Sequence, residues 1–204
     1  MRLLDFSDQV VLVTGASSGI GAAAAVGFAE AGATVALHFH ANESGAQHTL
    51  NAVHTAGGSG SIHQADLADS AQADTLVDAV LAKHGRIDVL VNNAGDLVKR
   101  SPVTDVPDEE FHRIIDVNLT SVFAMSRRIV PVFRGQGGGT IVNVTSIAGR
   151  NGGGGGSVVY ATSKSAVSTF TRGLAKELAP DGIRVNAISP GVISTPFHDR
   201  HTGE

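Results

Sequence analysis

Short apolar runs recur along the chain, and longer stretches with helical spacing separate them. Val10–Val13, Thr34–Phe39, Ser61–Gln64, Asp88–Val91, Thr140–Thr145 and Ile183–Ile188 read as six strands. A run such as Val10-Val11-Leu12-Val13, with no polar alternation, fits a strand covered on both faces. Ile20–Ala31 is rich in alanine and ends at Gly32, and Ser44–Ala56 ends at Gly57-Gly58. Ala71–Lys83 pairs Leu76 with Val80 and Val77 with Leu81 at helical spacing before Gly85 stops it. Pro107–Phe133 reads as one long helix, opened by Asp108, Glu109 and Glu110 at its positive end. Tyr160–Leu178 reads as another, closed by Pro180 and Gly182. Strands alternating with helices imply right-handed crossovers and a parallel sheet. The expected architecture is α/β: a doubly wound, mainly parallel sheet with helices on both faces, in a single domain spanning 1–204.

Composition narrows the function. The length of 204 residues suits one domain, and no composition break or internal repeat marks a second. A hydrophobic share of 42% against 17% charged residues supplies a core and excludes bulk disorder. The 25 glycines point to tight turns and close backbone approaches. Cysteine is absent, which excludes a disulfide framework and a thiolate metal site, and the nine histidines are scattered, so no metal site is expected. A net charge of −4 argues against a general nucleic-acid binder. Residues 9–29 carry no charge, but the polar, turn-forming Thr14–Gly19 in their middle would leave backbone unsatisfied in lipid, so no membrane span is expected. The N-terminus lacks a signal-peptide layout, and a soluble cytoplasmic protein is the simplest expectation. Gly152–Gly156 is five glycines in a row and reads as a flexible loop.

The candidate chemistry lies at strand ends. Thr14-Gly15-Ala16-Ser17-Ser18-Gly19-Ile20-Gly21 joins the first strand to the first helix. Glycines there let backbone N–H groups approach a pyrophosphate, and the helix start adds free N–H groups and a positive dipole end. The spacing is G-x-x-x-G-x-G, and no Gly-Lys-Ser/Thr follows, which disfavours a nucleoside triphosphatase. An acidic residue at the end of the second strand would hold the ribose 2′-hydroxyl of NAD. Here that strand ends His38-Phe39-His40-Ala41-Asn42, with no carboxylate before Glu43. The two-residue period puts His38 and His40 on one side, where an imidazolium would tolerate a 2′-phosphate, so NADP is favoured over NAD. Tyr160 and Lys164 share one helix face, on a stripe continued by Val167, Leu174 and Leu178. A nearby ammonium is expected to lower the tyrosine pKa by ~2–3 units, roughly 3–4 kcal/mol, enough for proton exchange near neutrality. Ser146 follows the fifth strand, Asn92-Asn93-Ala94-Gly95 follows the fourth, and Asn118 lies in the long helix, where Asn is a poor helix former.

These motifs, in this order, resemble the short-chain dehydrogenase/reductase family, especially members that reduce 3-oxoacyl carrier proteins or oxidise glucose. The matching segments are Thr14–Gly21, Asp66-Leu67, Asn92–Gly95, Asn118, Ser146, Tyr160-x-x-x-Lys164 and Pro190-Gly191-Val192-Ile193-Ser194-Thr195. The resemblance implies a Rossmann fold and an NAD(P)-dependent oxidoreductase interconverting a ketone and a secondary alcohol, with a small-molecule carbonyl or alcohol as substrate. It implies Tyr160 as general acid/base, Ser146 steadying the substrate oxygen, Lys164 on the nicotinamide ribose, and Asn118 holding a water in a proton relay. For the cofactor it implies Gly15, Ser17, Ser18, Gly19, Ile20 and Gly21 at the phosphates and His40 at the ribose. Asp66 and Leu67 would meet the adenine, Asn93 and Gly95 the adenosine side, and Pro190, Ile193 and Thr195 the nicotinamide end. It also implies homo-dimers or tetramers built on helices 107–133 and 160–178. Family members continue beyond the last loop with a substrate-covering helix and a further strand, so a C-terminally incomplete domain is expected. The alternative is a dinucleotide-binding sensor or scaffold that keeps the fold without turnover. A Rossmann-type methyltransferase would need no Tyr–Lys pair.

Overall fold

In a computed structural model of the chain, residues 4–201 are described, and among them six parallel strands form one sheet. The elements follow in order β1 (Val10–Val13), α1 (Gly19–Glu30), β2 (Thr34–Phe39), α2 (Glu43–Thr55), β3 (Ser59–Gln64), α3 (Ser70–His84) and β4 (Val89–Asn92). Then come α4 (Asp108–Ile115), α5 (Ser121–Gln136), β5 (Gly139–Val144), α6 (Ala148–Asn151), α7 (Val158–Leu178), β6 (Ile183–Ile188) and α8 (Pro196–His201). The strand order is β3-β2-β1-β4-β5-β6. The chain crosses over between β1 and β4, so the helices leave the carboxyl ends of those two strands in opposite directions and open a crevice there.

Strand residues alternate between two buried faces. Val11, Val13, Val35, Leu37, Val89 and Val91 pack with Ala25 and Ala29 of α1 and Val53 of α2. Leu12, Leu90 and Ile141 pack on the other side with Val77 and Val80 of α3 and Met125, Ile129 and Phe133 of α5. The expected helix over 107–133 forms, with an interruption at Asn118 that takes the form of a π-turn. This turn, Asp116–Thr120, separates α4 from α5, and α5 continues to Gln136. Asn118 causes the break: its Nδ2 donates to Ile114 O at 2.9 Å, occupying a carbonyl that belongs to the helix ladder.

A buried polar chain ties the sheet to α7. Asn92 Nδ2 donates to Asn143 Oδ1 at 2.9 Å, Asn143 Nδ2 donates to Thr171 Oγ1 at 2.9 Å, and Thr171 donates to Val167 O at 2.7 Å. This chain fixes the register of α7 over β4 and β5, and hence the height of the residues on the first turns of α7. Replacing Asn143 by Leu leaves the Asn92 amide buried without its acceptor. The expected result is a loss of about 2 kcal/mol or more in urea-induced unfolding. An unchanged unfolding midpoint would count against the network.

Candidate active site

A cleft of about 640 Å³ opens at the carboxyl ends of β1, β4 and β5. The loop after β1 forms one wall. Gly15 has φ +63°, and a Cβ there would lie 2.9 Å from Ala94 Cα, so only glycine fits the turn. Ser18 starts α1 without a side-chain cap, which leaves N–H groups of the first helical turn to face the cleft. Ser17, Ser18, Gly19 and Ile20 line the cleft, while Gly21 does not. Gly21 instead lets α1 sit against the loop, since a Cβ there would be 2.3 Å from Gly15 O.

Two side chains brace this loop against β4. Thr14 Oγ1 donates to Val91 O and accepts from the amides of Asn93 and Ala94 at 2.9 and 3.0 Å. Asn93 Nδ2 donates to Thr14 O at 2.9 Å and to Gly15 O at 3.0 Å. Asn93 borders the cleft, but its amide protons are held by the loop.

The ribose end differs from expectation. His38 is 2% exposed, and burial lowers its pKa to about 4, so the ring is neutral and presents no imidazolium to a phosphate. His40 is exposed and lines the cleft, 3.7 Å from Asp66. Burial pushes the Asp66 carboxyl up. The Ala68 amide at 3.0 Å, the Arg113 guanidinium at 3.1 Å and His40 outweigh it and hold the carboxyl below its ordinary value. Asp66 and Leu67 do not line the cleft, and Leu67 belongs to the core.

Tyr160, Lys164, Ser146 and Asn118 come together at the other end. Tyr160 sits on the first turn of α7 and lines the cleft together with Ser146, whose Oγ accepts from the Ala148 amide at 3.1 Å. Burial raises the Tyr160 pKa, the Ser146 side chain opposes that rise, and the Asp96 carboxylate adds to it. The expected lowering by Lys164 is therefore corrected. The amine lies 5.8 Å from the Tyr160 ring centroid and donates to Val144 O at 3.1 Å. Burial lowers the Lys164 pKa itself to about 8. Asn118 is fully buried, and its Nδ2 donates to Asp96 O at 2.6 Å as well as to Ile114 O. Its Oδ1 has no hydrogen-bond partner among the described residues. A Cβ on Gly95 would stand 2.6 Å from that oxygen and 2.9 Å from Lys164 Nζ, so the missing side chain leaves a polar gap between them.

The outer wall comes from the last loop and α8. Pro190 O accepts from the Ile147 amide at 2.9 Å, and Pro190, Ile193 and Thr195 line the cleft. Phe197 stacks 5.9 Å from the Tyr160 ring, and His201 Nε2 lies 2.6 Å from Asp96 Oδ1. The glycine run is anchored to the segment after β4: Gly156 O accepts from the Ser101 amide, and Gly155 O from Arg100. Asp96 and Phe197 escaped the sequence reading because nothing in their local pattern marks them. Asn143 did leave a signal, as a polar residue inside an apolar strand.

The pattern of the family described as short chain dehydrogenase matches residues 9–203. The chain belongs to the short-chain dehydrogenase family. It is 40% identical over 192 residues to the uncharacterized oxidoreductase YgfF of Escherichia coli (strain K12), covering 93% of this chain and 78% of the relative. It is 41% identical over 191 residues to cyclopentanol dehydrogenase of Comamonas testosteroni, covering 94% and 75%. The solved NADH-dependent reductase A1-R′ complexed with NAD superposes with a TM-score of 0.87 at 35% identity, covering 93% of this chain and 80% of that one. This short-chain dehydrogenase is thus an NAD(P)-dependent oxidoreductase. Its cleft fits the dinucleotide: the loop offers backbone amides with no Cβ in the way at Gly15 and Gly19, and the orphan Asn118 oxygen gives the inner end polar character. Among the described residues no group of three or more His, Cys, Asp or Glu could hold a metal, and no helix is long and apolar enough to cross a membrane.

The buried Lys164 makes this short-chain dehydrogenase less stable than it would otherwise be. Its folded pKa lies below the ordinary 10.5, so the folded state resists a proton that the unfolded state accepts. The handicap is complete below about pH 8 and fades as pH rises towards 10.5. At about 3 kcal/mol, this cost is at least as large as the roughly 1.5–3 kcal/mol of the charge-assisted Val144 hydrogen bond. Lys164→Met is expected to raise the melting temperature by several degrees at pH 7. A lower melting temperature would show that the hydrogen bond dominates.

Proposed function

We propose that this short-chain dehydrogenase interconverts a ketone and a secondary alcohol, with Tyr160 as the acid/base. The observation that carries the reading is that Tyr160 and Ser146 line the same cleft as the glycine loop, with the buried Lys164 amine 5.8 Å from the Tyr160 ring. A nicotinamide cofactor bound in the cleft would supply or accept the hydride at the substrate carbon. The chain must then bind the oxygen on that carbon and manage its proton.

Ser146 and Tyr160 form a pair of hydroxyls that can both reach one substrate oxygen. Ser146 stabilises the charge that grows there, and Tyr160 gives up its proton in reduction or takes one in oxidation. Burial keeps the phenol protonated at neutral pH, which suits the reductive direction. Lys164 would hold the nicotinamide-ribose hydroxyls. Asn118 Oδ1 can accept from a water that passes protons between Lys164 and solvent. The glycine loop and the start of α1 would hold the pyrophosphate, and Pro190, Ile193 and Thr195 the nicotinamide end. The name of cyclopentanol dehydrogenase fits a cyclic secondary alcohol as one substrate type for this site.

Tyr160→Phe removes the proton without emptying the space. Cofactor affinity, followed by NAD(P)H fluorescence, should stay within about threefold of wild type. Turnover over a panel of ketones should fall by at least about 10²-fold. Retained turnover would refute the role.

We further infer a preference for NADP over NAD. The end of β2 carries the exposed His40 where a carboxylate would repel a 2′-phosphate, and the Arg113 guanidinium also borders the cleft. His40→Asp should then lower the NADPH to NADH ratio of kcat/KM by about tenfold or more, the effect of ~1.4 kcal/mol of repulsion. An unchanged ratio would reject the preference.

A further inference from the structure

We propose that His38 is a positioning residue for cofactor binding, whose imidazole spans from the glycine loop to the end of β3 and holds the loop in its ligand-ready shape. The proposal rests on the reading of the cleft as the dinucleotide site.

The β2 sequence Thr-Val-Ala-Leu-His-Phe is otherwise almost wholly apolar, and the strand is buried along most of its length. A histidine at 2% exposure in such a strand must satisfy both ring nitrogens within the protein. It does so on two segments distant in sequence, the glycine loop and the end of β3. Nδ1 lies 3.0 Å from the Gly15 amide nitrogen and can only accept that proton. Nε2 therefore carries the ring proton and donates to Ala65 O at 3.0 Å. Geometry alone thus fixes one neutral tautomer.

The backbone of the same residue adds a third tie, because His38 O accepts from the Ala16 amide at 2.8 Å. Two successive amides of the loop are turned inward onto one residue. The amides that follow, at the start of α1, are the ones left to face the cleft. At its other end the ring holds Ala65, immediately before Asp66. One rigid ring therefore spans the phosphate loop and the segment after β3. An aliphatic side chain of similar volume would fill the space but leave the Gly15 N–H and Ala65 C=O unpaired. The loop could then turn the Gly15 amide outward and lose the conformation that Gly15 holds at φ +63°. His38 lines the cleft at its glycine-loop end, and its ring bonds Gly15 and Ala65 rather than Tyr160 or Ser146, so its influence falls on binding rather than on the hydride or proton steps.

The test uses the whole chain. NADPH and NADH affinities are measured by fluorescence titration, and steady-state kinetics with a ketone substrate run alongside. His38→Leu should weaken cofactor binding at least tenfold and raise the cofactor KM equally, with kcat at saturating cofactor within about twofold of wild type. His38→Asn offers an amide oxygen near the position of Nδ1 and should restore affinity to within about threefold. Equal affinity in wild type and His38→Leu overturns the proposal. So does equal weakening by Leu and Asn, which would mean that ring volume alone matters. A fall in kcat with unchanged KM overturns it as well.

A measurement on the wild-type chain decides the matter even if His38→Leu does not fold. Long-range ¹H–¹⁵N spectra of the histidines, recorded without cofactor, should show His38 as the neutral Nε2–H tautomer. The Nδ1–H tautomer or a charged ring overturns the proposal. Failure of the wild-type chain to bind either dinucleotide would overturn the reading of the cleft instead, and the tautomer spectrum separates the two failures.

Discussion

A lysine amine withdrawn from water is the constraint around which the inner end of the cleft is built. Desolvation alone would expel Lys164 or neutralise it, and burial does lower its pKa to about 8. The fold retains the amine by giving it the carbonyl at the end of β5, with Val144 O at 3.1 Å. The other features of the site accommodate that decision. Gly95 leaves out the Cβ that would collide with Nζ, and the π-turn brings the Asn118 oxygen to the same gap. Tyr160 stands one turn earlier on α7, so the height of the amine also sets the height of the phenol.

Rigidity elsewhere protects that arrangement. The Asn92–Asn143–Thr171 chain locks α7 to β4 and β5 with buried side-chain hydrogen bonds. Thr14 and Asn93 lock the glycine loop to the end of β4. Each of these groups is polar inside an otherwise apolar layer, where an unpaired partner would be expensive, so each permits few alternative positions. The glycine-loop wall and the Tyr160 end of the cleft are thereby held at fixed separation across the β1–β4 crossover.

The substrate side is assembled differently. Phe197 lies against Tyr160, His201 meets Asp96, and the glycine run is attached through backbone carbonyls to Arg100 and Ser101. These contacts come from segments outside the sheet, joined by few buried groups. Such peripheral segments can vary in shape without disturbing Tyr160, Ser146 and Lys164 on the scaffold.

The sequence by itself determined the strands, their parallel arrangement and the identity of the residues at their ends. Those follow from local periodicity and from glycine placement, which act over a few residues, and the six strands appear where apolar runs predict them. The break in the long helix was visible only as a poor helix former at Asn118. Its form depended on a carbonyl four residues back and another in the segment after β4. Charge states were decided only by the tertiary structure. Two histidines alternate on β2 as the pattern says, yet one is sealed under the loop and the other is open to solvent. A tyrosine and a lysine share a helix face as spacing requires, yet burial moves the phenol up and the amine down. Desolvation depends on everything packed around a group, and that surrounding is set by chain segments distant in sequence.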